Sequence, residues 1–349
     1  MIGDQYQPQS RKYRVGQLAV LWDGQGAGYD FSHYADVPRA VSILQTATHA
    51  MFYRTQMDDR LGMYMYEPRR LGLPVLYDIY DPLFSVSAYE TYANMTALDP
   101  SMKAHFLAEA PKYLGAMNLA DIVTVSTPGM VDHTRAYTPR PVHFRRNFAD
   151  RETLEAGATA RAAAGNRAEG PFRVAFASGS QGHEVDFALI ADDIAAFLAA
   201  APDRRLMILG HFDPALLPAP LRDRVETHKF AEYDSYLETL AGADCAVMPL
   251  TDDAFNRCKS AVRVIDAAAV SVPSLVGTVG DMANMVRDGE TGRVLAPGGS
   301  WAAALEDLAR DRAAARAMGQ AARADLETVW TARAALPVVE DAVIDWAKG

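Results

Sequence analysis

Two short apolar runs bracket a charged segment of helix length, and together they constrain the fold more than any other part of the chain. Residues 243–250 (ADCAVMPL) read as a buried strand ending in a proline, and residues 272–277 (VPSLVG) read as a second strand. Between them, residues 255–266 (FNRCKSAVRVID) read as a loop entering a helix. Strand, loop, helix and strand make a βαβ unit, which belongs in an α/β fold. In such folds ligands gather at the carboxyl ends of the strands, where this loop lies.

At about 3.6 residues per turn, Lys259, Arg263 and Asp266 fall within one sector of that helix. Ser260 is placed to cap it, so the free N–H groups of the first turn and the positive helix end point where Lys259 points. That combination is an anion site. A carboxylate two turns deeper suits the vicinal diol of a ribose, because it accepts two hydrogen bonds, and the implied ligand is a nucleotide. The same spacing also describes a solvated face held by ion pairs, and spacing alone serves either reading.

A set of motifs in order resembles the group 1, family 4-like glycosyltransferases of the GT-B fold. Residues 176–187 (FASGSQGHEVDF) look like the strand and glycine loop that open the family's donor domain, and 206–210 (LMILG) like its second strand. Residues 233–250 resemble the helix and strand that precede the donor loop, 256–273 the loop and helix under the nucleotide-sugar, and 286–292 (VRDGETG) is similar to the turn that follows. The resemblance implies two Rossmann-like domains facing a cleft, with a C-terminal helix crossing back to the first. It implies that Lys259 and Ser260 hold the donor diphosphate with Arg263 assisting, that Asp266 contacts the ribose, and that Gly179, Ser180, His183 and Asn256 lie along the donor. Many members carry an acid eight residues before the ribose acid, and here that position is Cys258.

The chain has 349 residues, 50% hydrophobic and 22% charged, enough for two domains with full cores. Cys245 and Cys258 are its two cysteines, too few for a disulfide framework or a cysteine-based zinc site. No signal peptide or membrane span is expected, so the expected location is cytoplasmic, with the inner membrane face as a variant. A net charge of −10 argues against nucleic acid as a partner. Residues 1–165 hold 16 Lys plus Arg against 17 Asp plus Glu, so the excess acid lies in the second half. Arg140, Arg145 and Arg146 read either as a basic patch for a membrane or an anionic acceptor, or as ordinary surface.

The first half also reads as α/β. Residues 15–22 (VGQLAVLW) are the expected first strand, 23–28 (DGQGAG) its glycine loop, and Ser32 a cap for the helix beyond. Further strands are expected at 49–54, 73–78, 120–127 and 141–147. Residues 78–84 (DIYDPLF) sit past a strand end, and Asp78, Asp81 and Arg54 are acceptor-side candidates. Asp81 reads equally as a structural N-cap, and His183 as a loop-packing residue. Two carboxylates three apart also suggest a divalent ion, but the resemblance implies transfer without metal. Aromatic and methionine side chains at 63–66 and at Tyr77, Tyr80, Phe84, Tyr89 and Tyr92 read mostly as core.

The expected organisation is an acceptor-side domain at 1–155, a linker at 156–170 that also reads as a short helix followed by a linker, a donor-binding domain at 171–330 and a returning helix at 331–349. The expected activity is that of a hexosyltransferase, retaining and metal-independent, moving a sugar from a nucleoside-diphosphate donor to a hydroxyl of a glycan, lipid-linked or protein acceptor in cell-envelope synthesis. It needs no cofactor. An epimerase or hydrolase of nucleotide-sugars, or a non-catalytic assembly subunit on the same fold, are the alternatives.

Overall fold

A computed structural model describes residues 1–4, 10–165, 170–179, 182–333 and 338–349. The strands Ile2–Gly3 (β1), Ser32–His33 (β2), Ala50–Tyr53 (β3), Val75–Ile79 (β4), Ile122–Val125 (β5) and Val142–Phe144 (β6) form one sheet in the order β2-β1-β3-β4-β5-β6. A second sheet holds Phe172–Gly179 (β7), Arg204–Gly210 (β8), Val225–His228 (β9), Cys245–Met248 (β10), Ser274–Gly277 (β11) and Gly292–Leu295 (β12) in the order β12-β11-β10-β7-β8-β9. The pairings are parallel in both sheets. Parallel strands need crossovers that cover both faces, so β3, β4, β5 and β10 are buried along their whole length.

Alternation along these strands sorts the cores. In the first sheet Phe52, Tyr77 and Val123 face one core, while Met51, Tyr53, Leu76 and Ile122 face another. The second of these cores is completed by Leu18, Leu21 and Trp22 and by Val339, Val343 and Ile344, so the helix Asp341–Lys348 crosses back to the first domain as expected. In the second sheet Val174, Phe176, Ile208 and Val247 face one core, and Ala175, Met207, Ala246 and Met248 the other.

Three expectations need correction. Residues 15–22 are not a strand: β1 is Ile2–Gly3, Ser10–Gly16 winds as a π-helix, and Gln17–Asp23 is an α-helix. The buried set Gln17, Leu18, Leu21 and Trp22 has helical spacing, and tertiary packing overrides the strand-like composition. The glycines at 24, 26 and 28 therefore follow a helix, Ser32 lies in β2, and Asp36 caps the helix Val37–Thr46 instead. Residues 156–164 are not a linker either. They continue the helix Arg151–Ala164, capped by Asp150 Oδ1 accepting from the Thr153 N–H at 2.8 Å and packed against the helices Tyr233–Leu240 and Val262–Ala269. No helix among the described residues is long and apolar enough to cross a membrane.

Candidate functional site

Strand order reverses in the second sheet between β7 and β10, the switch point at which open α/β sheets bind ligands. Two loops meet there, the one after β7 that carries Gly179 and His183, and the one between β10 and the helix Val262–Ala269 that carries Asn256, Lys259 and Ser260. The expected donor residues are thus brought to one place by topology. Ser180 lies outside the described residues.

Asp186 holds the two loops in register. Fully buried, it accepts from the Thr251 N–H at 2.9 Å, Asn94 Nδ2 at 2.7 Å, Asn256 Nδ2 at 3.3 Å and His183 Nδ1 at 3.0 Å. Burial alone would raise this carboxyl, but the hydrogen bonds from His183, Thr251 and Asn94 outweigh it and hold it below the usual range. Burial, with Arg263 nearby, pushes His183 down to about 4, so its imidazole is neutral. An ionised Asp186 accepts only, so His183 Nδ1 carries the proton and Nε2 carries a lone pair. With the proton on Nδ1, Nε2 is an acceptor, which suits a hydroxyl donor. The Asn256 amide nitrogen is likewise engaged, by Asp186, the Thr251 carbonyl at 3.0 Å and Asp253 at 3.1 Å.

The charged triad departs from the helical-sector reading. Lys259 has extended backbone, and the helix begins at Val262 after Ala261, without a side-chain cap. Ser260 does not cap; its Oγ accepts from Asn147 Nδ2 of the first domain at 3.3 Å. Lys259 Nζ lies 3.7 Å from Asp81 Oδ1 and 4.8 Å from the Phe255 ring centroid. Burial would lower this ammonium, but Asp81 and Tyr92 outweigh it and raise it, so Lys259 is charged. Arg263 is half-buried and has no ion-pair partner among the described residues. Asp81 is an ion-pair partner and not a cap, since Ser85 caps the next helix.

Cys258 has a physical reason to replace an acid. Phe255 and Cys258 insert into the core of the first domain, where Phe255 stacks on Tyr92 at 4.1 Å between centroids. Cys258 is fully buried, its carbonyl accepts from Thr127 Oγ1 at 3.1 Å, and burial pushes its thiol up to about 12. A carboxylate there would lose its hydration and feel Asp81 and Asp253 as well as Lys259.

Asp266 is already occupied. It accepts from Tyr233 Oη at 2.8 Å and from Tyr13 Oη at 3.1 Å, the latter reaching across from the first domain. The neighbouring Lys12 Nζ lies 4.0 Å from the Tyr233 ring centroid, a cation–π contact, and 3.5 Å from Glu152. Neither Lys12 nor Tyr13 carries a sequence signal for this role; the placement follows from Arg14, which anchors the π-helix by paired bonds to Asp78.

Burial raises the Asp266 carboxyl to about 6, against the hydrogen bonds from Tyr233 and Tyr13. An acid whose pKa rises on folding holds its proton more tightly in the folded chain. Its stabilising contribution is present below about pH 4 and is lost as pH climbs through about 6. Asp266→Asn stays neutral throughout, so its stability relative to the parent is expected to improve by about 2–3 kcal/mol between pH 4 and pH 7.5. Denaturant midpoints of both proteins across that range check this; a difference constant with pH would contradict it.

Of the first-domain candidates, Asp78 is corrected from acceptor contact to structural anchor. It is fully buried in β4, bonded by Arg14 Nε at 2.9 Å, Arg14 Nη2 at 2.5 Å, Arg145 Nη2 at 3.3 Å and Thr124 Oγ1 at 2.7 Å. Arg145 and Arg146 form no surface patch, because the first is fully buried on Asp78 and the second makes a bidentate pair with Asp281 at 2.7 and 3.1 Å. Arg54 lies at φ 52°, pairs with Asp4 at 3.4 Å and lies 5.7 Å from the Tyr80 ring centroid. Of the aromatic cluster, Tyr64, Tyr77, Phe84, Tyr89 and Tyr92 are core, while Met63 and Tyr66 are exposed.

Residues 172–311 match the family described as glycosyl transferases group 1. Solved structures resembling the whole chain include HepE of Anabaena in complex with UDP, 14% identical over 95% of each chain with a TM-score of 0.58. The fold is GT-B. Sucrose-phosphate synthase of Thermosynechococcus elongatus shares it at 17% identity, over 85% of this chain and 74% of that one, with a TM-score of 0.55. The trehalose 6-phosphate synthase of Burkholderia multivorans shares it at 13% identity, over 96% and 81%, with a TM-score of 0.54. Among curated protein sequences none matches the chain. The GT-B likenesses carry architecture, and the group 1 match covers the second domain.

Proposed function

We propose that this protein is a hexosyltransferase that moves a sugar from a nucleoside-diphosphate donor to a hydroxyl of a glycan, lipid-linked or protein acceptor, with residues 171–330 as the donor side and 1–155 as the acceptor side. The observation that carries the reading is the juxtaposition of Lys259 with Arg263, which has no ion-pair partner among the described residues, at the switch point between β7 and β10. Two cations there suit a leaving diphosphate, whose charge grows in the transition state. Uridine nucleotides are the first to test, because HepE binds UDP and UDP-glucose and the pneumococcal O-GlcNAc transferase GtfA binds UDP and GlcNAc. In this reading His183 Nε2 accepts from a donor hydroxyl, the reaction is retaining, and no metal is required because Lys259 and Arg263 meet the charge.

Asp266 takes the ribose diol, which requires Tyr13 to leave it. Tyr13→Phe removes one competing hydroxyl, so nucleotide affinity is expected to rise about tenfold, near the worth of a hydrogen bond to a charged group. Titration calorimetry with UDP checks this, and unchanged or weaker binding would show that Tyr13 does not compete with the ribose. The capped Asp266 also supports a second reading, a GT-B-like assembly subunit that binds nucleotide without turnover. A panel of uridine, guanosine, adenosine and cytidine diphosphates and their sugars separates the two. Stabilisation by one base, about 2.7 kcal/mol at a hundred times its dissociation constant, lost in Asp266→Ala and accompanied by sugar transfer, supports the enzyme. Stabilisation without transfer to any acceptor supports the subunit, and no stabilisation by any nucleotide defeats both.

A further inference from the structure

A cavity lies where the helices Arg151–Ala164, Val262–Ala269 and Arg312–Thr328 converge, away from Lys259 and Arg263. It has a volume of about 420 Å³ and is lined by Ala158, Arg161 and Ala162 from one helix, Arg316 and Gln320 from another, with Gly165 at its rim and Ser271 at the end of the helix that carries Asp266. Its floor is rigidly built. A Cβ at Gly157 would collide with the Ala269 carbonyl oxygen and one at Gly319 with the Ser271 carbonyl oxygen, so only glycine lets both helices approach this closely.

The polar groups at this floor lack partners. Ser271 is 6% exposed, sits at φ 56°, and its Oγ has no hydrogen-bond partner among the described residues. Arg316 Nη1 is buried and equally without a partner. Neither Arg161 nor Arg316 makes an ion pair among the described residues, and no carboxylate among the described residues lines the cavity. A buried hydroxyl and a buried guanidinium nitrogen left without partners each cost stability unless something binds them. Left-handed backbone at a serine is strain of the kind that gathers at binding sites.

We propose that this cavity is an anion site for a small phosphomonoester. The phosphate oxygens accept from Arg161, Arg316 and the Ser271 hydroxyl, a set of donors with the geometry that planar guanidinium groups offer to phosphate. The volume exceeds that of a phosphate ion and lies in the range of sites for small organic ligands, so the phosphate carries an organic body of about hexose size. The site is independent of the nucleotide-sugar reading, since it shares no residue with the cleft.

The test uses the full chain with Lys259→Ala, which removes a cation from the candidate donor site. Glucose 6-phosphate is expected to raise the melting temperature saturably, by about 3–6 °C. Inorganic phosphate is expected to do so with weaker affinity, and glucose or sodium chloride at equal ionic strength not at all. Adding Arg161→Glu, an exposed helix position that leaves folding intact, is expected to weaken glucose 6-phosphate binding at least tenfold. Arg316→Ala is expected to do the same. An equal shift in the Arg161→Glu variant, an equal shift with chloride, or no shift with either phosphate would overturn the proposal.

Discussion

Lys259→Ala is expected to lower kcat/KM for sugar transfer by about 10²- to 10³-fold, the cost of removing one fixed charge that meets developing charge in a water-poor site. The ammonium lies between Asp81 and the faces of Phe255 and Tyr92, so its position is set by packing from both domains. Its pair with Asp81 remains partly open to water, and the loss of that pair should cost stability no more than about 1 kcal/mol. Activity should therefore fall far more than the melting temperature does. The decisive comparison is kcat/KM with the matching nucleotide-sugar beside the dissociation constant of the nucleotide alone. A variant that binds nucleotide and turns over like the parent would remove Lys259 from the site.

Asp78→Ala is expected to destabilise the folded chain by about 3–5 kcal/mol, because it leaves two buried guanidinium groups without their shared counter-charge. Arg14 and Arg145 are both essentially inaccessible to solvent, and Arg14 also donates to the Arg145 carbonyl at 2.8 Å and to Asn147 at 3.3 Å. Burial would raise the Asp78 carboxyl, but Arg14 and Arg145 outweigh it and hold it below the usual carboxylate range. The sign is opposite to that of Asp266. A depressed carboxyl stabilises the fold above its unfolded value near pH 4, and the contribution is lost as pH falls further through the folded value. Denaturant unfolding at pH 7.5 measures the effect, and a loss below about 1 kcal/mol would mean that water reaches these arginines. Arg14 holds the π-helix that presents Tyr13 to Asp266, so the same variant should also loosen the cap on the candidate ribose position.

The second domain was legible because its signals are local. Residues 243–250 and 272–277 are runs of strand length that became β10 and β11, and the turn at 286–292 has its glycine at φ 76° where the chain reverses. The first domain misled at residues 15–22, where valine, leucine and tryptophan suit a strand or a helix alike and the neighbours on the sheet decide. Helical spacing also misled at Lys259, since two residues of irregular backbone before Val262 take it off the helix on which it was counted.

What the sequence by itself determined is the class of fold, the βαβ unit under the candidate donor site and the identity of Lys259, Arg263 and Asp266 as its charged groups. Those follow from hydrophobic periodicity and residue chemistry, which act over a few neighbours along the chain. What only the tertiary structure decided is which charges are free. Asp78 is consumed by Arg14 and Arg145, Arg146 by Asp281, and Asp266 by tyrosines 253 and 33 residues away, while Arg263 keeps no ion-pair partner among the described residues. Pairing between distant residues depends on where the two sheets bring them in space, and once buried a charge must find such a partner or lose its ionisation.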